Sequence, residues 1–424
     1  MALNRREFLK LVAAGTGAAT LGACGGAGLF GRRHARVVVV GGGFGGATAA
    51  KYLRLWDHRI EVTLIERNPK FVSCPFSNLV IGGSKTMADL TIGYSTLRSE
   101  YGINVLHANV LGVDPRKQSV TTSAGVVSYD RLIIAPGIDF LYRDGLAGLA
   151  SEAAQEQVPH AWKAGAQTVI LRKQLEAMPD GGVYVLSIPK APYRCPPAPY
   201  ERVCQVAFYL KTNKPTSKII VLDANPEITS KKGLFTKVWA EMYPGMIEYK
   251  PNNAAEEVDV ATRTIKTGFE KIKADVLNVV PPQKAGGVAY LAGVVNVDNR
   301  WCGVDFITYE SRVQQNIHVI GDAISAPLPK SAHMANQSAK VCAGAIVALL
   351  NGYPLATRPK FANTCYSFVN AKEAMHVAGV YQYDPVKQTM VPIADSVGVS
   401  ATWTDIEGGY AQAWANNIWS DALQ

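Results

Sequence analysis

A glycine run set between an apolar β-branched stretch and a helix-compatible one constrains this chain more than any other feature. Residues 35–40 read as a strand, Gly41-Gly42-Gly43-Phe44-Gly45-Gly46 as a turn, 47–56 as a helix and 61–66 as a second strand. In this βαβ setting the G-x-G-x-x-G spacing predicts a dinucleotide site. Gly41 permits the tight turn, Gly43 lets the backbone approach a pyrophosphate, and Gly46 lets helix and strand pack closely. Glu66 lies 20 residues beyond Gly46, at the end of the second strand, where it can accept hydrogen bonds from an adenosine ribose. The pyrophosphate would rest on the helix N-terminus.

Further strand-like runs at 131–135, 183–187, 218–223, 276–280 and 318–320 alternate with helical stretches, which predicts doubly wound α/β domains. At 424 residues, 48% of them hydrophobic, the chain can build two or three domains. The expected division is a dinucleotide-binding domain from 34–150 and 282–353, a second nucleotide-type domain over 151–281, and a small, less regular C-terminal domain over 354–424. Residues 189–199 hold five prolines, which stiffen a loop and exclude a regular helix there. The strand at 183–187 runs into these prolines instead of glycines. Proline has no N–H to offer a phosphate, so no pyridine nucleotide is expected in the second domain, and Asp223 reads as a strand-end cap.

Arg5-Arg6, Phe8-Leu9-Lys10 and a Gly/Ala-rich apolar stretch match a twin-arginine export signal over residues 1–33. A removed signal of this kind predicts a periplasmic protein. Leu21-Gly22-Ala23-Cys24 leaves open a lipidated Cys24, and with it a membrane anchor. The net charge is +9, and +7 without Arg5, Arg6, Glu7 and Lys10. That balance suits a solvated surface or the steering of an acidic protein partner. No Lys/Arg cluster is interleaved with aromatics, which excludes nucleic acid as a partner. The seven cysteines form no C-x-x-C pair, no haem-attachment motif and no metal-ligand spacing with histidine, so no metal is expected.

Two segments, Tyr129-Asp130-Arg131-Leu132-Ile133-Ile134-Ala135-Pro136-Gly137 and Ile317-His318-Val319-Ile320-Gly321-Asp322-Ala323, resemble signatures of the two-dinucleotide, glutathione-reductase-like flavoproteins. The resemblance implies FAD at the glycine turn, with Asp322 at its ribityl and pyrophosphate end. From about residue 35 to 419 the chain resembles the flavoprotein subunit of flavocytochrome c sulfide dehydrogenase, a relative of the sulfide:quinone oxidoreductases. Pro159-His160-Ala161-Trp162-Lys163-Ala164-Gly165, Arg194-Cys195-Pro196-Pro197, Pro199-Tyr200-Glu201-Arg202 and Asn363-Thr364-Cys365-Tyr366-Ser367 carry that resemblance.

The family implies a redox-active disulfide between Cys195 and Cys365 beside the flavin, with Glu201 as the active-site acid. It also implies FAD attached covalently through Cys74, although Pro75 after that cysteine departs from the family's pattern. Sulfide is the implied substrate and a c-type cytochrome subunit the implied acceptor. Hydrosulfide would open such a disulfide by thiol–disulfide exchange, leaving a persulfide and a thiolate. The residues leave open which sulfur is attacked. A purely structural disulfide, a surface role for Glu201, a quinone acceptor at the membrane and a non-catalytic accessory flavoprotein stand as alternatives. Trp414, Ile418 and Trp419 form the short apolar stripe that the quinone reading would use. Cys204, Cys302 and Cys342 read as buried apolar residues.

Overall fold

The predicted βαβ unit opens the fold, in a computed structural model that describes residues 35–424. Its elements are β1 (Arg36–Val40), α1 (Phe44–Trp56) and β2 (Glu61–Ile65). The expected export signal and Cys24 lie outside the described residues. Helix α1 starts before the expected residue 47, because the glycine turn is already complete at Gly43, whose carbonyl accepts the first helical bond from Ala47 N–H at 2.9 Å.

After β3 (Asn104–Leu106) and β4 (Arg131–Ile134), the chain leaves this sheet for a second one. That sheet contains β5 (Val183–Ile188), β6 (Lys218–Asp223), β7 (Ile247–Lys250) and β8 (Val276–Val279) in the order β7-β6-β5-β8, with all pairs parallel. Helix α2 (Ala198–Asn213) follows β5. It begins inside the proline-rich segment, so the helix-free expectation for 189–199 fails at its last two residues. Pro199 sits in the first turn, where its missing N–H would be unpaired in any residue.

The chain then returns to the first sheet through β9 (Ile317–Val319), giving the parallel order β9-β4-β1-β2-β3. Val40 is in register with both Ile65 and Ile134, so the glycine turn emerges at the carboxyl edge of the central strand. Open parallel sheets bind their ligands at that edge. Helix α3 (Ala332–Asn351) packs against α1 and covers the sheet, whose strands are apolar on both faces; Val37 to Val40 are at most 4% exposed.

The tail is more regular than expected. It forms an antiparallel sheet of β10 (Lys360–Phe368), β11 (Ala374–Asp384) and β12 (Thr389–Pro392), followed by a 19-residue helix, α4 (Asp405–Leu423). In β10 every second residue from Phe361 to Ser367 is buried, but two of those inward positions are Asn363 and Ser367. Polar residues on the inner face hide the period-2 pattern from a hydropathy reading. The apolar stripe of α4 turns inward as well: Ile418 is buried and Trp419 donates from Nε1 to Ser73 Oγ at 3.0 Å. Among the described residues no helix is long and apolar enough to cross a membrane.

Candidate active site

A cavity of about 280 Å³ lies where β1, the β5–α2 loop, β10 and the start of α3 converge. Gly43, Cys74, Cys195, Glu201, Asp322 and Cys365 all line it. A second cavity of about 450 Å³ is lined by Gly41, Gly43 and Glu66, and it shares Gly43, Ala135 and Gly137 with the first. The two form one elongated slot across the glycine turn. Eight of the nine residues singled out from the sequence therefore face this slot. The ninth, Gly46, lies beneath it.

Gly41 and Gly46 meet the backbone demands that the spacing predicts. Gly41 has φ +100°, and a Cβ there would stand 2.3 Å from the Ala135 carbonyl oxygen. At Gly46 a Cβ would stand 1.8 Å from the Gly41 oxygen, so helix and turn could not pack. A Cβ at Gly43 would meet no protein atom within 4 Å and would project into open space above the turn. Glu66 accepts from Gly42 N–H at 2.8 Å and from Asn68 N–H at 2.9 Å, which fixes its carboxylate at the outer end of the slot. Asp322 follows β9 at the inner end. Its Oδ1 is buried with no hydrogen-bond partner among the described residues, and burial raises its pKa against the pull of Arg194 and Lys330.

The cysteine loop is held rigidly. Cys195 adopts a left-handed conformation, φ +58°, which is uncommon for a residue with a side chain. Its N–H donates to Lys330 O at 2.7 Å and its carbonyl accepts from Ala198 N–H at 3.0 Å. Cys365 enters from β10. Both cysteines line the cavity. Burial pushes both thiols up, and Cys365 and Glu201 add to the rise at Cys195.

Glu201 stands in the first turn of α2. Its Oε1 accepts from Phe368 N–H and its Oε2 from the Asn78 amide, each at 2.8 Å. Burial raises its pKa, opposed by these two bonds, Lys231 and Arg202. It is a cavity residue and not a surface one. Cys74 precedes a short helix (Ser77–Gly82) and lines the same cavity beside Pro75.

Similarity to known proteins agrees with this architecture. The family model described as pyridine nucleotide-disulphide oxidoreductase matches residues 35–168. The model for the central part of the sulfide dehydrogenase [flavocytochrome c] flavoprotein chain matches 168–281, and the flavocytochrome c sulphide dehydrogenase flavin-binding model matches 357–423. A flavoprotein chain of sulfide dehydrogenase [flavocytochrome c] from Chlorobaculum thiosulfatiphilum is 69% identical over 45 residues, covering 11% of this chain and 94% of that one. The chain belongs to the flavocytochrome c sulfide dehydrogenase flavoprotein family.

This family sits within a wider group of flavin-dependent sulfide oxidoreductases. Mitochondrial sulfide:quinone oxidoreductase of Mus musculus is 26% identical over 71% of this chain and 68% of its own length. The solved sulfide:quinone oxidoreductase of Aquifex aeolicus shares the fold, with TM-score 0.75 and 20% identity over 92% of this chain and 91% of that one.

The slot fits FAD. Open space above Gly43 suits a pyrophosphate, the anchored Glu66 carboxylate suits a ribose, and the unpartnered Asp322 oxygen needs a hydroxyl or N–H donor. In the second sheet the strand-end acid is occupied within the protein. Asp223 is fully engaged: Oδ2 accepts from Tyr200 at 2.7 Å and Tyr249 at 3.0 Å, and Oδ1 from Asn225. It is a strand-end cap, as expected.

Several site residues were not given roles by the sequence reading. Arg194 lies against the cavity, and negative charge on Cys74, Asp322 or Cys195 raises its pKa against the effect of burial. Arg202 is 2% exposed and donates to Asn78 Oδ1 at 3.0 Å, orienting the amide that in turn holds Glu201. Lys231 lies under β10. Arg194, Arg202 and Glu201 occur in the motif stretches, but nothing local in the sequence points to Lys231. Cys204, Cys302 and Cys342 are fully buried, as expected.

Proposed function

We propose that this chain oxidises hydrosulfide through a Cys195–Cys365 disulfide, with FAD as the resident acceptor and a c-type cytochrome subunit as the onward acceptor. The observation that carries the reading is the convergence of both cysteines, Glu201, Cys74 and Asp322 on one cavity. Bound FAD supplies the two-electron acceptor that a thiolate can reduce, and it can release electrons singly to a haem.

The chain's own groups set up the exchange. Cations at Arg194, Arg202 and Lys231 favour an anionic sulfur nucleophile and the thiolate it liberates. Glu201, with its raised pKa, is suited to take the proton of an incoming sulfide. Asp322, Glu66 and the glycine turn bind the cofactor, and Cys74 is the proposed site of its covalent attachment. The twin-arginine-like leader supports a periplasmic setting.

Anaerobic titration of purified protein tests this reading. Sulfide should bleach the flavin absorbance, NADH should leave it unchanged, and oxidised cytochrome c should restore it. The mouse relative supports a second reading in which a quinone accepts the electrons. Recovery of absorbance with a soluble quinone but not with cytochrome c would select it. Absence of bleaching by sulfide would instead select an accessory flavoprotein.

A further inference from the structure

Lys231 is 7% exposed, yet its ammonium makes no ion pair among the described residues. Nζ donates instead to the carbonyl of Cys365 at 3.0 Å, Ser367 Oγ at 2.8 Å and the Met375 carbonyl at 3.4 Å. The residue stands in a left-handed conformation, φ +56°, at the start of a helix spanning Lys232–Met242. It is not among the residues lining the flavin cavity. Burying an ammonium is costly and three neutral acceptors offset that cost only in part, so the charges that face it bear on its role.

Other donors converge on the same cysteine. The Asn363 amide donates to Cys365 Sγ at 3.4 Å. Its own oxygen accepts from Ser331 Oγ at 2.6 Å, which sets the amide with its N–H₂ toward the sulfur. Ser331 caps α3, so the sulfur also lies near the positive end of a 20-residue helix. Cys195 is less buried and has no comparable donor to its sulfur among the described residues.

We propose that Lys231 is a positioning residue that holds Cys365 as the thiolate released when hydrosulfide opens the disulfide. This rests on the redox-pair reading above. In the step, the sulfur of HS⁻ bonds to Cys195 Sγ and the Cys195–Cys365 bond breaks. The bonding electron pair leaves on Cys365 Sγ, and Cys195 is left as a persulfide that keeps the proton. No further oxidant is consumed. Burial lowers the pKa of Lys231 and outweighs the opposing charges of Cys365, Glu201, Cys195 and Cys204, which leaves it at about 8. A thiolate at Cys365 favours the protonated form of Lys231.

The test is the pH dependence of iodoacetamide alkylation at Cys365, read by peptide mass spectrometry on the FAD-loaded protein with Cys195→Ser as background. Adding Lys231→Met should raise the midpoint by about one pH unit or more, which slows alkylation near neutrality about tenfold. Lys231→Arg should restore a midpoint near that of the background. Lys231→Gln retains amide donors without charge and should behave like Lys231→Met; it carries the test if the methionine variant does not fold. Unmoved midpoints in folded, uncharged variants would overturn the inference. Survival of sulfide turnover in Cys195→Ser alone would instead overturn the redox-pair reading.

Discussion

Glu201 Oε1 accepts a hydrogen bond from Phe368 N–H at 2.8 Å, which ties an acid on α2 to the strand that carries Cys365. The bond sets the carboxyl beside the cysteines and buries it there. Glu201→Gln keeps an oxygen for Phe368 and loses the ionisable group, together with the oxygen that accepts from the Asn78 amide. Sulfide turnover should fall by about 10²-fold or more, with the flavin retained. Steady-state rates and the 450 nm absorbance of the purified variant check this.

The same substitution has a consequence for stability. Burial raises the pKa of Glu201 above its unfolded value, so the native protein holds a proton that the unfolded chain releases. The stabilising contribution is full below about pH 4 and is lost as pH rises through the folded value. Thermal unfolding followed over this range should show wild type losing stability relative to Glu201→Gln as pH increases.

Cys195→Ser and Cys365→Ser should each abolish sulfide-dependent bleaching while keeping FAD, because neither cysteine belongs to the glycine turn or to Asp322. Undiminished sulfide oxidation by either variant would show that the disulfide is not the route of electrons. Cys74→Ser separates attachment from catalysis. Acid precipitation should release its flavin into the supernatant, whereas wild-type flavin should remain with the pellet.

Gly43→Ala and Gly46→Ala should fail differently. The Gly43 Cβ meets no protein atom, so that variant should fold with near-normal thermal stability and purify with little flavin. At Gly46 the Cβ would lie 1.8 Å from a backbone oxygen, and the turn must move. A loss of about 2 kcal/mol or more is expected, read as a lowered Tm together with loss of flavin.

Asp322→Ala should weaken flavin binding about tenfold or more, since an unpartnered buried oxygen is replaced where a donor from the cofactor is expected. Apoprotein reconstituted with FAD and followed by fluorescence quenching measures it. An unchanged affinity would mean that the orphaned oxygen has another partner.

Much of the fold is legible along the chain because its strands are short apolar runs whose ends are marked by glycine or proline. β1, β2, β4, β5, β6, β8 and β9 all lie within a residue or so of their expected positions. Two departures have separate causes. Pro199 reads as a helix breaker but stands in the first turn of α2, and Asn363 and Ser367 disguise β10 because they face inward to serve Cys365 and Lys231.

By itself the sequence determined the dinucleotide turn, the alternation of strands and helices and the absence of a glycine turn in the second sheet, and through resemblance it pointed to Cys195 and Cys365 as candidates. These are local: a turn, a strand or a motif is specified by residues adjacent in the chain. Only the tertiary structure decided that Cys74, Cys195, Asp322 and Cys365 line one cavity, that Asn78 and Phe368 hold Glu201, and that Lys231 lies under Cys365. Cys195 and Cys365 are 170 positions apart, and no periodicity or propensity links residues at that distance. Their placement on one cavity follows from the packing of α2 and α3 against β10, and burial, which the chain acquires only on folding, shifts their ionisation.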